Sequence, residues 1–436
     1  MRKLYLRASI MAGLILAIAM CGLVAAKEQV TLEAWVYWDG PDQALQAVLP
    51  DVQKLYPKVD IKLVTKVLPF DAGHENLRTS LVTGKGAPDI ASIDISYVTT
   101  FAPFLAAGKL LDLSKRMAPF KKDVALGRQA CYTIKGKLMG VEESPCTVLL
   151  FYLDQYYKEN GFDLSTVKTW QEFLELGRKL KKKTGMAMLQ TGRDDINDYL
   201  TLLYQAGGGM FDEQGRCIID NKAAVDALTL YVNMIKDGVC TVVTGASADF
   251  NSPDWYAPFK AKQLTACLGA EWFGLNLKDF VPEMKGQWRA RPLPVFKTNG
   301  ARTSIQGGTC KGITSFCKRP DIAWDLIRMA QLTAKGAELW YKKTAVYPVY
   351  LPAYKSPLFQ EKDPFFGGQK VGQLIGSIAA EVPSIYVKQG HSFRWGSLSD
   401  SYKILLEEAI YPAREGKKTP AQALGDIAKK IKAMPK

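Results

Sequence analysis

Apolar residues along this chain follow two alternating rhythms. Val30 to Trp38 reads as a strand, whereas Leu45, Val48, Leu49, Val52 and Leu55 mark one helical face between Asp42 and Tyr56. Val59 to Val67 is extended again, completing a βαβ unit that predicts a parallel sheet covered by helices. A helix through Leu77 and Leu81 should stop at Gly84, and Pro88 marks entry to a strand over Asp89–Ile95. A short helix over Phe101–Ala107 is closed by Gly108. From Cys131 the texture changes: Tyr132–Val141 predicts a hairpin turning at Lys135-Gly136, and Thr147–Leu153 is extended. A second α/β region follows. Thr169 and Glu172 form a capping box for a helix opening at Trp170, and Ala223–Lys236 is an amphipathic helix ended by Gly238. Leu264–Leu268 predicts a strand that delivers Gly269-Ala270-Glu271-Trp272. No fixed-period repeat appears, which argues against solenoids and propellers.

A chain of 436 residues exceeds one ordinary core, so two domains are expected, and 47% hydrophobic with 23% charged residues is a globular balance. Residues 1–26 are a separate object. Arg2, Lys3 and Arg7 precede an uncharged run from Ala8 to Ala26, and Val24-Ala25-Ala26 forms a small-residue cleavage site, so a secretory signal is expected with the mature chain starting near Lys27. An uncleaved signal anchor is one rival reading of that run. Lipid attachment at Cys21 is the other, weakened by bulky Met20 where a lipobox has a small residue. The product is expected to be exported, in a periplasm or at the outer face of the cytoplasmic membrane. The formal charge of +14 loses three cations with the leader. Its densest basic run, Arg178–Lys183, falls where a helix should end before Gly185, which suits a solvated helix C-terminus better than a nucleic-acid patch. Of the eight cysteines, those outside the leader are odd in number. Export permits disulfides; Cys131 with Cys146, Cys217 with Cys240 and Cys310 with Cys317 are near enough in sequence, and buried thiols are the alternative. With only His74 and His391, and no doubled C-x-x-C, neither a metal nor another cofactor is expected.

Ligands of open α/β sheets collect beyond the carboxyl ends of strands. Tyr37, Trp38 and Asp39 stand at such an end, as do Asp94, Ser96 and Tyr97 after a later strand and Trp272 after another. Aromatic faces stack on apolar patches while carboxylates fix hydroxyls, and sugars present both surfaces. Trp35, deeper in the first strand, is expected in the core, as are Trp170, Trp324 and Trp340 on helical faces. Tyr152, Tyr347 and Tyr350 either touch a ligand or pack a hinge. A glycosidase would need two carboxylates at a set separation, for which Asp39 with Asp94, or Asp194 with Glu271, are the candidates; sugar-binding carboxylates have the same composition. No nucleophile elbow, H-E-x-x-H site or phosphate loop appears, Gly84-Lys85-Gly86 lacking the required spacing, so an enzyme is not expected.

The ordered segments "TGKGAPDIASID", "AAGKLLDLS", "GKLMGVEES", "LLFYLDQYYKENGFD", "KTWQEFLELGRKL", "ACLGAEWF", "SIQGGTCKGI", "DIAWDLIRMA" and "TPAQALGDI" resemble the sugar-binding, maltose-binding-protein-like branch of the extracellular solute-binding proteins of ABC importers. The resemblance spans nearly the whole mature chain. It implies an α/β, two-lobed periplasmic-binding-protein-like (type II) fold with a hinge and an interlobe cleft. Lobe one would hold 27–133 plus 302–346 and lobe two 134–301 plus 347–436, with crossings near Leu138–Val148, Ala301–Thr303 and Ala345–Pro352. The implied partners are a small-molecule carbohydrate and the membrane permease subunits of an importer, with a monomeric protein and no nucleic acid. Carried over by position, the implied ligand-binding residues are Tyr37, Trp38, Asp39, Asp94, Ser96, Asp195, Asn197, Trp272, Gly307, Gly308, Arg394 and Trp395, with Arg193 and Asp194 in the same polar segment. The family's tyrosine-asparagine-lysine run is here Tyr152-Leu153-Asp154, so one expected ligand asparagine is missing. An acidic sugar, sugar phosphate or polyol, anchored by Arg193 or Arg394, is the alternative ligand.

Overall fold

The structure is a computed structural model that describes residues 27–385 and 404–433. The leader with Cys21, and Arg394 and Trp395 of the expected site, lie outside the described residues.

Strands β1 (Glu28–Val36), β2 (Val59–Val67) and β3 (Ile90–Asp94) build the βαβ pattern read from the sequence. They are followed by the short strands β4 (Thr133–Ile134), β5 (Lys137–Leu138) and β6 (Val141–Glu142), then by β7 (Val148–Leu153), β8 (Leu189–Gly192), β9 (Cys240–Val243), β10 (Ala266–Ala270), β11 (Trp288–Arg291) and β12 (Thr309–Ile313). One five-stranded sheet has the order β2-β1-β3-β12-β6, with β1 parallel to both neighbours and β12 antiparallel to β3 and β6. The chain leaves β1 to one side for β2 and returns on the other for β3. That reversal opens a crevice at the carboxyl ends of β1 and β3.

Along β1 the side chains of Val30, Leu32, Ala34 and Val36 are buried, the period of a pleated strand. Trp35 falls on the other face by the same period. It is therefore half-buried rather than core: its indole N–H donates to Glu33 at 2.6 Å and the Lys66 ammonium lies 5.8 Å from the ring centroid. The helix after β1 spans Asp39–Leu55, starting earlier than expected because Pro41 is tolerated in a first turn. Gly84 closes the helix Phe70–Thr83 in the left-handed conformation, φ 70°. Lys135 and Gly136, with φ 50° and 77°, make the expected hairpin turn between β4 and β5, although its paired arms are only two residues each.

The second half carries a three-stranded antiparallel sheet, β10-β7-β11, and the parallel pair β8-β9, joined by a bridge between Ala187 and Leu264. Strand β10 runs two residues beyond the expected Leu264–Leu268, so Gly269 and Ala270 belong to it and Glu271-Trp272 leave its end. The capping box is present as expected: Glu172 N–H donates to Thr169 Oγ1 (3.2 Å) and Thr169 N–H to Glu172 Oε2 (3.1 Å). Trp170, Trp324 and Trp340 are buried as their helical spacing requires.

Two adjacent, oppositely directed connections link the sheets. Glu143 N–H donates to Thr309 O (3.0 Å) and Val148 N–H to Ser304 O (3.2 Å). Strand β6 keeps the chain on the first sheet as far as Glu142. Helices Pro320–Gln331 and Ala334–Thr344 return to the first half, where Tyr56 donates to Asp325 (2.7 Å) and Lys335 pairs with Asp51. Tyr347, Tyr354, Phe359 and Ile375 instead pack with Phe151 and Leu153 of the second sheet.

None of the three expected disulfide pairings is made among the described residues. Cys217 is half-buried and the other described cysteines are buried, and burial pushes the Cys131 thiol up to about 11. They serve as small core residues. No helix among the described residues is long and apolar enough to cross a membrane.

Candidate ligand-binding cleft

At the carboxyl ends of β1 and β3 the backbone turns outward and presents side chains. Trp38 is 40% exposed, and its six-membered ring rests on Gly40, where a Cβ would collide with it. Asp39, beside it, is exposed at the first position of its helix. Phe70, 44% exposed, stands edge-on to Tyr37 (centroids 5.3 Å) and to Tyr97 (5.9 Å). Tyr37 is half-buried, and its hydroxyl donates to the Ser92 carbonyl, so its polar end is committed to the protein. Desolvation and neighbouring Asp94 hold that phenol well above its ordinary value. Asp94 Oδ1 accepts from both the N–H (2.9 Å) and the hydroxyl (2.6 Å) of Ser96, which closes the turn after β3. Desolvation raises the Asp94 carboxyl even so.

The link to the second half is Gly307-Gly308. Thr309 pairs with Asp94, and Gly308 O accepts from Ile95 N–H (2.9 Å) and the Tyr132 hydroxyl (2.8 Å). Exposed Gly307 faces half-buried Trp272: a Cβ there would stand 3.8 Å from the indole. At Gly308 the room left by the missing side chain has an occupant of the protein's own. Its φ of 128° excludes other side chains, and the space a Cβ would take is filled by the Arg128 guanidinium. Arg128 donates to Gly307 O (3.2 Å) and is fully buried against Glu142 (2.6 Å), while buried Lys311 pairs with Glu143 (2.7 Å). Desolvation lifts Glu142 to about 8 and Glu271 to about 7.

In the second half, the ends of β8, β9 and β10 lie together. Gly192 abuts Asp195 and Ala248, and the Phe250 ring lies 6.0 Å from that of Trp272. Asp195 Oδ1 accepts from Asn197 N–H (2.8 Å). Burial raises Asp195, and burial together with Asp195 lifts Asp198 to about 7. The remaining expected members of this segment face the short helix Tyr411–Arg414: Tyr411 donates to Asp194, and Arg414 donates to the Arg193 carbonyl (3.0 Å) and to Tyr231.

The structure thus brings Tyr37, Asp94, Ser96, Gly307, Gly308 and Trp272 into one neighbourhood, with Trp38 and Asp39 extending its first edge and Asp195 and Asn197 its second. Sequence reasoning missed Phe70, His74, Arg128 and Phe250. Pro69 before Phe70-Asp71 is a helix-start signal that placed Phe70 beside β1. Nothing in the local sequence marks Arg128 or Phe250. Among the described residues no group of three or more His, Cys, Asp or Glu is arranged to hold a metal ion.

Two α/β halves joined by adjacent connections, with aromatic rings and acids gathered where strand ends meet the connections, define a solute-binding clamp. The chain belongs to the bacterial extracellular solute-binding proteins, whose family profile matches residues 38–336. Over 431 residues it is 26% identical to the arabinooligosaccharide-binding protein of Bacillus subtilis, covering 96% of this chain and 97% of that protein. It is 24% identical to the lactose-binding protein of Rhizobium radiobacter, covering 87% and 89%. Among solved structures it is similar to the GacH receptor of Streptomyces glaucescens (TM-score 0.68, 20% identity, 94% of this chain and 100% of that one). It is also similar to the sugar-binding protein MalE of Xanthomonas citri (TM-score 0.71, 19% identity, 92% and 96%). These likenesses establish the two-lobed fold.

Proposed function

We propose that this protein captures a neutral oligosaccharide between its two halves, outside the cytoplasmic membrane, and delivers it to the permease of an ABC importer. One observation carries the reading: exposed Trp38 and half-buried Trp272 stand at strand ends of opposite halves, with the exposed Asp39 carboxylate beside Trp38 and Gly307 against Trp272. Only contacts made by both halves together favour a closed form over an open one. The ligand set is Tyr37 through its ring, Trp38, Asp39, Asp94, Ser96, Asp195, Asn197, Trp272 and Gly307, with Arg394 and Trp395 as further members. The first lobe is 27–142 plus the chain from the crossing at 304–309 to about Val346. The protein acts as a monomer after removal of residues 1–26, and binds without turnover.

The names of the relatives, arabinooligosaccharides and lactose, support a neutral ligand over the acidic alternative. Thermal-shift and calorimetric screening of arabino-, galacto- and malto-oligosaccharides beside uronates and sugar phosphates tests the proposal, since a ligand bound only by the native state raises Tm. Micromolar binding of a neutral oligosaccharide without hydrolysis is expected. Binding of acids alone, or release of reducing ends, overturns it.

A further inference from the structure

The centre of the first-half platform is a histidine. His74 is fully buried on the helix Phe70–Thr83, and it lies between rings: Tyr97 at 3.8 Å with an interplanar angle of 3°, and Tyr37 at 4.5 Å and 29°. Phe70 stands edge-on at 5.0 Å. The two ring nitrogens have different partners. Nδ1 lies 2.7 Å from the Phe70 carbonyl, which can only accept. Nε2 lies 3.1 Å from the Asp94 backbone N–H, which can only donate, and 2.6 Å from the Tyr37 hydroxyl. The two backbone partners select one species, the neutral imidazole with its proton on Nδ1, and the single Tyr37 hydroxyl proton is shared between Nε2 and the Ser92 carbonyl. A single side chain therefore ties the end of β1 through Tyr37, the end of β3 through Asp94 and the start of the helix through Phe70.

We propose that His74 is a positioning residue for ligand capture, whose neutral imidazole holds the Tyr37, Phe70, Tyr97 and Asp94 edge of the cleft in its binding geometry. The proposal rests on the oligosaccharide reading above, and the residue itself does not touch ligand. A second proton on Nε2 would face the Asp94 N–H and remove the acceptor that fixes this turn. The charged and titratable groups around the ring are Asp71 and Glu75 on its own helix, Asp94 from β3, Tyr37 from β1 and Tyr97 from the turn after β3; Glu143 and Arg128 lie behind Asp94. The acids favour the imidazolium, but desolvation outweighs them and holds the ring at about 4. Affinity should accordingly be flat near neutral pH and fall as pH drops towards that value.

Three variants test this with the full mature chain and the oligosaccharide found by the screen. His74→Leu fills the space without polar partners and should weaken binding at least about tenfold at pH 7.5. His74→Gln can still accept from Asp94 N–H, and His74→Asn can still donate to Phe70 O; the Gln variant should retain affinity within about threefold and lose the acid fall-off that wild type shows. Wild-type affinity for His74→Leu overturns the proposal, as does an unchanged acid fall-off in His74→Gln. If His74→Leu does not fold, the Gln pH profile decides. Imidazole ¹⁵N NMR of ligand-free protein gives a readout independent of any sugar: an Nδ1–H tautomer is expected, and an Nε2–H tautomer overturns the proposal. Failure of wild type to bind any sugar, with the expected tautomer present, counts against the oligosaccharide reading instead.

Discussion

The two edges of the cleft are built by opposite strategies. The first is a cluster of rings held by a neutral base: Tyr37, Phe70 and Tyr97 surround His74, and burial keeps that imidazole uncharged. The second is a cluster of acids held against a cation: Asp195 and Asp198 lie near Arg414, which stacks at 5.2 Å on Tyr231. Between them the connection is an ionic seam in which Arg128 and Lys311 face Glu142 and Glu143. Aromatic rings supply flat area that survives dehydration without a charged partner, whereas buried carboxylates must share cations or take up protons. One edge is thus pre-formed for apolar faces, and the other is set by its protonation state.

Breaking the seam should have the largest effect. Arg128→Leu leaves Glu142 and the Gly307 carbonyl without their buried donor, and a loss of about 1–3 kcal/mol of stability for each orphaned acceptor is expected by urea denaturation. Retained stability would show that the seam does not hold the connection together.

Next come the tryptophans, which sharpen the contrast between edges. Trp272→Ala should weaken sugar binding by roughly 1–3 kcal/mol in calorimetry, the worth of a stacked ring at a contact. Gly40→Ala should displace the Trp38 ring without deleting it, with a smaller loss of affinity and a change in tryptophan fluorescence. Equal losses for Trp272→Ala and Gly40→Ala would erase the distinction between the two edges.

The pH dependence of the two edges should have opposite signs. The His74 ring titrates at about 4 in the folded chain against 6.5 when free, so the unfolded chain binds the extra proton between those values. Its contribution to stability is present above about 6.5 and lost as pH falls towards 4. Asp198 is raised from 3.8 to about 7, so there the folded chain holds the extra proton, and stability falls as pH rises from about 4 to 7. Urea midpoints at several pH values should become steeper with pH in Asp198→Asn and flatter in His74→Gln. Identical slopes in both variants would mean that neither group titrates as the structure indicates.

The smallest expected effect is Thr169→Ala, which opens the capping box far from either edge and should cost about 1 kcal/mol with ligand affinity unchanged.

How much of this was legible beforehand follows from the range of each interaction. The β1–helix–β2 unit, the stop at Gly84, the turn at Lys135-Gly136 and the capping box depend on neighbours a few residues apart, and each was readable from spacing and turn chemistry. Trp35 was misplaced because a strand with apolar residues on both faces does not say which face is covered. The cysteines could not be paired from sequence because proximity along the chain says little about geometry in space.

By itself, then, the amino-acid sequence determined the elements, their order and the strand ends on which Tyr37, Trp38, Asp94 and Trp272 stand. Tertiary structure decided that Arg128 fills the place beside Gly308, that Phe250 comes to Trp272, and that His74 is shared by three segments. Those contacts join residues distant in sequence, and their energy depends on burial and on which donor meets which acceptor, quantities that exist only once the chain has closed on itself.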